Sequence, residues 1–282
     1  MSQPNGAMFF NFGGKCMVRL FVALETLRQH YKGPVTLMLA KGDPFNEQAA
    51  PDLAQYGDIV WFDMDRLAKR NLKCVLKPQL FRQSPYINTL MLDGDLVFQA
   101  DITPLFREIE QGGFLLTKFS TWNADGAKMR TRVAQAREFL TDKQWEAASS
   151  KTPAVNIGVM GWNANCPTMD AWEEMTKNLA GKHIADEIAA QAVYPWNPHV
   201  LVDQTWNHSC VYGVGDHKEA KILHYHGDKH TEIKRPTSRV WIDEFRELVF
   251  SGKCRNMHTY LTWGDPSLEG RLKQTPSLLN PN

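Results

Sequence analysis

A chain of 282 residues, 43% hydrophobic and 22% charged, can bury a substantial core and is compatible with one large α/β domain. Its formal net charge of +1 sets up no global field for DNA or RNA, which excludes a nucleic-acid partner recognised by bulk charge. No apolar run is long enough to span a bilayer.

In chain order, Met8-Phe9-Phe10-Asn11-Phe12 reads as a short strand broken by Gly13-Gly14. From Lys15 to His30 the apolar residues Met17, Leu20, Phe21, Leu24 and Leu27 recur at helical spacing, until Gly33-Pro34 stops the helix. Val35 to Ala40 and Asp58 to Phe62 follow as strands. Arg66 to Arg82 predicts a helix interrupted near Pro78. On it Arg66, Lys69, Arg70, Lys73 and Lys77 form a basic stripe, whose plain reading is a solvated face. The apolar run Ile87-Asn88-Thr89-Leu90-Met91-Leu92 is a buried strand that ends in Asp93-Gly94-Asp95, with Leu96-Val97-Phe98 directly after.

Alternating strand and helix through the first hundred residues predicts a mostly parallel sheet flanked by helices. Ligands of such sheets bind beyond the carboxyl ends of the strands. Gly13-Gly14 and Asp93-Gly94-Asp95 both fall at such ends. The second half is less regular. Phe114 to Thr117, Val155 to Trp162 and Lys221 to His224 read as strands, and Met129 to Trp145, Thr168 to Leu179, Asp186 to Val193 and Trp241 to Phe250 as helices. There is no internal repeat or linker, so the chain is expected to form a single domain over 1–282.

Two carboxylates one residue apart at the exit of a buried strand need a counter-charge. A divalent cation supplies one, because Asp oxygens are hard ligands suited to magnesium or manganese. The plain alternative is a turn, since glycine between two aspartates is ordinary loop chemistry. A second set of potential ligands lies far downstream in His224-Tyr225-His226-Gly227-Asp228-Lys229-His230.

Taken in order, these segments resemble the retaining glycosyltransferases of family 8, a GT-A group that includes glycogenin and lipopolysaccharide galactosyltransferases. Leu90 to Val97 resembles that family's strand ending in Asp-x-Asp, followed by Asp101-Ile102-Thr103-Pro104-Leu105-Phe106. Val155-Asn156-Ile157-Gly158-Val159-Met160 is similar to its Phe-Asn-x-Gly-Val segment, Asp186-Glu187 to its Asp-Gln/Glu step, and Trp206-Asn207 to its aromatic-Asn step. The His-x-x-Gly-x-Lys motif matches at His224, Gly227 and Lys229.

The resemblance implies a GT-A nucleotide-diphospho-sugar transferase fold. Its nucleotide-binding half would span about 1–110 and its acceptor half about 111–282. It implies a hexosyltransferase using a UDP-sugar, with Mn2+ or Mg2+ held by Asp93, Asp95 and His224, and a glycan, lipid or protein as acceptor. Asn11 and Gly13 would lie near uracil and ribose, and Lys77 and Gly94 beside the donor. Gly227 and Lys229 would approach the departing phosphate. Asp186 would bind sugar hydroxyls and stabilise charge, and Asn156 would contact donor sugar or acceptor. Double displacement would need a nucleophile on the far sugar face; in front-side attack the leaving phosphate takes the acceptor proton. Two features depart from the family pattern. Lys229 precedes His230 rather than Pro-Trp, and the residue between the aspartates is Gly94 rather than Ala or Thr.

Competing readings are a metal-dependent hydrolase built on His224, His226, Asp228 and His230, and a non-catalytic sugar-nucleotide-binding protein. A nucleotidyltransferase would need more of a phosphate loop than Gly13-Gly14-Lys15. Cys16, Cys74, Cys166, Cys210 and Cys254 are odd in number and widely spaced, the pattern of reduced thiols. With no leader-like N-terminus, a cytoplasmic setting is expected.

Overall fold

In a computed structural model, residues 3–63, 73–213, 215–226, 236–254 and 256–263 are described. Strand β1 (Gln3–Asn11) leads into α1 (Met17–His30), β2 (Val35–Lys41), α2 (Pro44–Leu53) and β3 (Asp58–Asp63). Then come α3 (Lys73–Phe81), β4 (Tyr86–Leu92), β5 (Leu96–Phe98), α4 (Thr103–Gly112) and β6 (Phe114–Asn123). Seven strands make one sheet in the order β3-β2-β1-β4-β7-β6-β8, with β7 (Pro153–Asn163) and β8 (Val200–Val202) from the second half. Strands β3, β2, β1 and β4 are parallel neighbours, and β7 runs antiparallel between β4 and β6. The sheet is therefore mostly parallel and flanked by helices, as the alternation predicts.

Side-chain alternation divides the core between the two faces of the sheet. Ala7 and Phe9 pack with α1, α2, α4, α9 (Pro236–Phe250) and α10 (Met257–Thr262). Met8 packs on the opposite side with α3, α7 (Thr168–Asn178) and α8 (Ala185–Val193). A central strand covered on both faces needs apolar residues at nearly every position, and β4 is buried at all but one of its residues.

A second sheet of three short strands, in the order β5-β10-β9, sits beyond the end of β4. It joins β5 to β10 (Ile222–His224) antiparallel and β10 to β9 (His208–Ser209) parallel. This sheet follows Asp93-Gly94-Asp95 directly, and it brings residues more than a hundred positions apart into register.

Several elements differ from the sequence expectation. The segment from Met129 to Trp145 is largely helical, as expected, but divided into α5 (Ala127–Val133), a 3-10 turn (Ala134–Phe139) and α6 (Asp142–Ser149). Thr141 breaks it by capping α6. Its hydroxyl accepts from the Gln144 amide (3.3 Å), and the Gln144 side chain accepts from the Thr141 amide (3.0 Å). Helix α2 has its own start signal in Asp43-Pro44, where the aspartate accepts from the amides of Phe45 and Asn46. Helix α3 runs through Pro78. Arg66, Lys69 and Arg70 of the basic stripe lie outside the described residues. Cys16, Cys166, Cys210 and Cys254 carry free thiols, and no described helix is long and apolar enough to cross a membrane.

Candidate metal and donor site

Asp93 and Asp95 leave the end of β4 on either side of Gly94, and His224 closes β10. The ladder fixes their meeting. His224 pairs with Leu96, and the Tyr225 amide donates to the Asp95 carbonyl (3.1 Å), so the imidazole is held beside the second carboxylate. His224 Nε2 lies 3.2 Å from Asp95 Oδ1 and 4.0 Å from Asp93 Oδ2. One ligand atom from each of the three residues lies within 4.8 Å of the others. The carboxylates keep 28% and 19% of their side-chain surface while the imidazole keeps 4%, so the group opens outward on its carboxylate side.

The protonation of His224 follows from a chain of hydrogen bonds. The Gly158 amide donates to Asn156 Oδ1 (2.9 Å), which identifies that atom as oxygen. Asn207 Nδ2 then donates to the same oxygen (2.8 Å) and to Thr117 Oγ1 (2.7 Å). Asn207 Oδ1 therefore faces His224 Nδ1 at 2.9 Å, and that nitrogen carries the hydrogen. Nε2 faces the carboxylates and shares a proton with Asp95; once that proton leaves, its lone pair points where a metal ligand's must. Burial by itself lowers the His224 pKa, but Asp95 outweighs it and the net shift is upward. Burial raises Asp95, and the His224 charge and hydrogen bond pull it below the ordinary carboxylate range. Two hard oxygen donors and one imidazole in this geometry fit Mn2+ or Mg2+.

Strand β7 carries three consecutive residues of the site wall. The Asp93 amide donates to the Gly158 carbonyl (2.9 Å), extending the β4–β7 pairing past residue 92. Gly158 lies under the imidazole, where a Cβ would fall 2.5 Å from His224 Nδ1 and nearer still to Cε1. The Ile157 carbonyl accepts from Lys77 Nζ (3.3 Å). Lys77 also binds Asp93 Oδ1 at 2.8 Å with only 5% of its side chain exposed. It is thus a buried counter-ion and no part of a solvated stripe. Its ammonium lies 5.7 Å from the Phe10 ring, linking the end of β1 to the site.

Asn156 extends the network to α8. Its Nδ2 donates to Glu187 Oε2 (2.7 Å), and Arg132 of α5 binds Glu187 Oε1 (3.1 Å). Burial dominates this carboxyl and pushes it up to about 7, against the pull of Arg132 and with a further push from Asp186. Asp186 precedes it, and its Oδ1 accepts from the Glu187 amide (3.0 Å). Entry into α8 is strained, for the β-branched Ile184 takes φ +52.

At the end of β1, Asn11 donates to Asn46 Oδ1 (2.8 Å) and to the Gly13 carbonyl (3.1 Å). Gly13 adopts φ +78, and its amide donates to Asp43 Oδ2 (2.7 Å). Gly94 packs against Leu20 of α1, with a Cβ there meeting Leu20 Cβ at 3.6 Å. Gly227 and Lys229 lie outside the described residues, as do Asp228 and His230. His226 is not among the three converging ligands. Its ring packs against His224 at 3.8 Å between centroids, tilted by 30°, and burial holds it down to about 2, a neutral imidazole. Asn207, Glu187, Asp43 and Asn46 hydrogen-bond the candidate residues, Arg132 binds Glu187, and sequence reasoning gave none of them a role. The aromatic-Asn and Asp-Glu steps were the only signals for the first two.

No family model matches the chain, and no curated protein matches it. Solved structures do. Mouse xyloside xylosyltransferase 1 in its apo form is 16% identical, over 81% of this chain and 99% of that one, with a TM-score of 0.56. The galactosyltransferase LgtC in complex with donor and acceptor sugar analogues is 11% identical, over 85% and 95%, with a TM-score of 0.59. The glycosyltransferase GlyE of Streptococcus pneumoniae TIGR4 is 14% identical, over 86% and 60%, with a TM-score of 0.57. At these identities the likeness is one of fold. The chain has the GT-A fold of family 8-like glycosyltransferases, the fold its motifs resemble.

Proposed function

We propose that the chain is a metal-dependent glycosyltransferase that moves a hexose from a UDP-sugar to an acceptor with retention of anomeric configuration. The observation that carries this reading is the convergence of Asp93, Asp95 and a tautomerically fixed His224 at the strand ends of a GT-A fold. The three residues would hold Mn2+ or Mg2+, which when bound supplies Lewis-acid stabilisation of the diphosphate leaving group. Lys77 holds Asp93 in place and would lie near the donor. Asn11 and Gly13 would receive uracil and ribose, Gly94 would lie beside the donor, Gly227 would let the backbone approach the departing phosphate, and Lys229 would be a point charge on it. Asp186 and Asn156 would face the sugar hydroxyls.

Glu187 favours front-side attack over double displacement. Both its oxygens are engaged, by Asn156 and Arg132, and its raised pKa leaves it partly protonated near neutral pH. Such a carboxyl is a weak nucleophile and a good holding group. On this reading the chain is one glycosyltransferase unit of 1–282 working in the cytoplasm, with the nucleotide half at about 1–110 and the acceptor half at about 111–282.

The test is Asp95→Ala. It is expected to abolish Mn2+-dependent UDP binding in calorimetry and Mn2+-dependent UDP-sugar hydrolysis. A variant that binds UDP and Mn2+ as tightly as the parent would overturn the assignment.

A further inference from the structure

The turn that follows β1 contains two glycines, and the structure uses them differently. Gly13 takes φ +78 with nothing within 4 Å of where a Cβ would stand, so conformation demands it. Gly14 takes no such φ. A Cβ there would fall 2.8 Å from Trp263 Cβ and 2.9 Å from Phe45 Cδ1, so contact demands it. Two aromatic side chains thus lie on the backbone of the turn: Phe45 from the first turn of α2, and Trp263, the residue that caps α10. Their rings pack edge to face at 5.1 Å, and Trp263 also meets the Tyr260 ring at 4.7 Å.

Trp263 reaches the turn because α10 is anchored behind it. Tyr260 stacks on Phe21 of α1 (5.1 Å, interplanar angle 7°), and its hydroxyl donates to Asp52 Oδ2 (2.7 Å). Asn256 Nδ2 donates to the same oxygen (3.0 Å). Met257, Tyr260 and Leu261 are buried in the core, so the helix is seated without Trp263, which is only partly buried. Adjacent glycines leave a chain great freedom, and a turn built on them must be held from outside. Asp43 holds the Gly13 amide, Asn11 holds the Gly13 carbonyl, and the two aromatic side chains hold Gly14.

We propose that Trp263 is a positioning residue for nucleotide binding, which acts through Gly14 to fix the turn that meets the nucleoside. This rests on the transferase reading above, and it adds to the site an element, α10, from the far end of the described chain. An ordered turn has less freedom to lose when its ligand arrives, so its preorganisation appears as affinity. On the same reading the cation and diphosphate belong to Asp93, Asp95 and His224, and the effect of Trp263 is confined to the nucleoside.

The experiment uses the full chain and calorimetry with two probes, UDP and inorganic pyrophosphate, each with Mn2+. Trp263→Ala is expected to weaken UDP by about tenfold and to leave pyrophosphate within about twofold, whereas Trp263→Phe, which keeps a ring against Phe45, stays within about threefold of the parent for UDP. Amide exchange across residues 12–16 is expected to quicken in Trp263→Ala and not in Trp263→Phe. Gly14→Ala pushes the rings off the turn from the other side and is expected to show the same split between the probes, so the comparison survives if Trp263→Ala does not fold. UDP affinity unchanged in Trp263→Ala and Gly14→Ala, or pyrophosphate weakened as much as UDP, overturns the proposal. A parent that binds no UDP sinks the transferase reading and the proposal with it, whereas variants that match a UDP-binding parent sink the proposal alone.

Discussion

Replacing Gly158 with alanine isolates the contribution of imidazole placement to cation binding. The added methyl would sit 2.5 Å from His224 Nδ1, whereas ordinary contact begins near 3.4 Å. The ring must therefore retreat by about 1 Å, because the Gly158 backbone is held by its carbonyl to the Asp93 amide and by its amide to Asn156 Oδ1. A shift of that size stretches the 2.9 Å bond between Nδ1 and Asn207 beyond hydrogen-bonding range and carries Nε2 away from the carboxylates. Loss of an outer partner of a metal ligand costs about 10- to 100-fold in affinity, or roughly 1.4 to 2.7 kcal/mol. Isothermal titration of Mn2+ into Gly158→Ala reads this directly, with thermal denaturation in EDTA to show that the apo fold survives. An unchanged Mn2+ affinity in a folded Gly158→Ala protein would refute the reasoning, since His224 would then not be the third ligand.

Gly94→Ala is the matched control: its methyl meets Leu20 at an ordinary 3.6 Å. Metal affinity should stay within about twofold and stability should rise by up to about 1 kcal/mol through the unfolded chain; a large loss of either would show that the space is not there. Cation binding must displace the proton that His224 shares with Asp95, and that proton is held above the ordinary histidine value. Mn2+ affinity should therefore fall by up to about tenfold per pH unit below that raised pKa, and a flat profile from about pH 5.5 to 8.5 would contradict it. Glu187 has its pKa raised to about 7 from 4.5. Its favourable contribution is complete below the unfolded value and is lost as pH climbs through the folded one, by at most about 3 kcal/mol. Glu187→Gln should thus gain stability relative to the parent between about pH 5 and 8 in urea denaturation, whereas parallel curves would place the charge elsewhere.

What could be read in the residues was whatever has a period or a spacing. The apolar run before Asp93 marked its strand, and the alternation of strands and helices marked the sheet. His224 was legible because it ends a short apolar stretch in the order of a known motif. Contacts between polar side chains far apart in sequence leave no such trace. Asn207 orients an imidazole on one side and Asn156 on the other, and neither partner is near it in the chain. The same holds for Arg132 and Glu187, 55 residues apart. Helix α2 was missed for the opposite reason. Its start signal at Asp43-Pro44 is strong, but its interior carries Pro51 and few apolar residues. Lys77 sits in a run of basic residues at helical spacing, and only its depth distinguishes it from a solvated neighbour.

Strand β10 is three residues long and paired on both sides, with His224 opposite Leu96 and Ser209. Strand pairing shifts only in whole steps, and each step turns inward-facing groups out. One notch of sliding would present Leu223 to the aspartates and bury nothing able to bind an ion. The cation site is accordingly all or none: an insertion or deletion of a single residue between 209 and 222 that drags this strand along should erase it outright, while larger insertions that leave the pairing alone should be harmless.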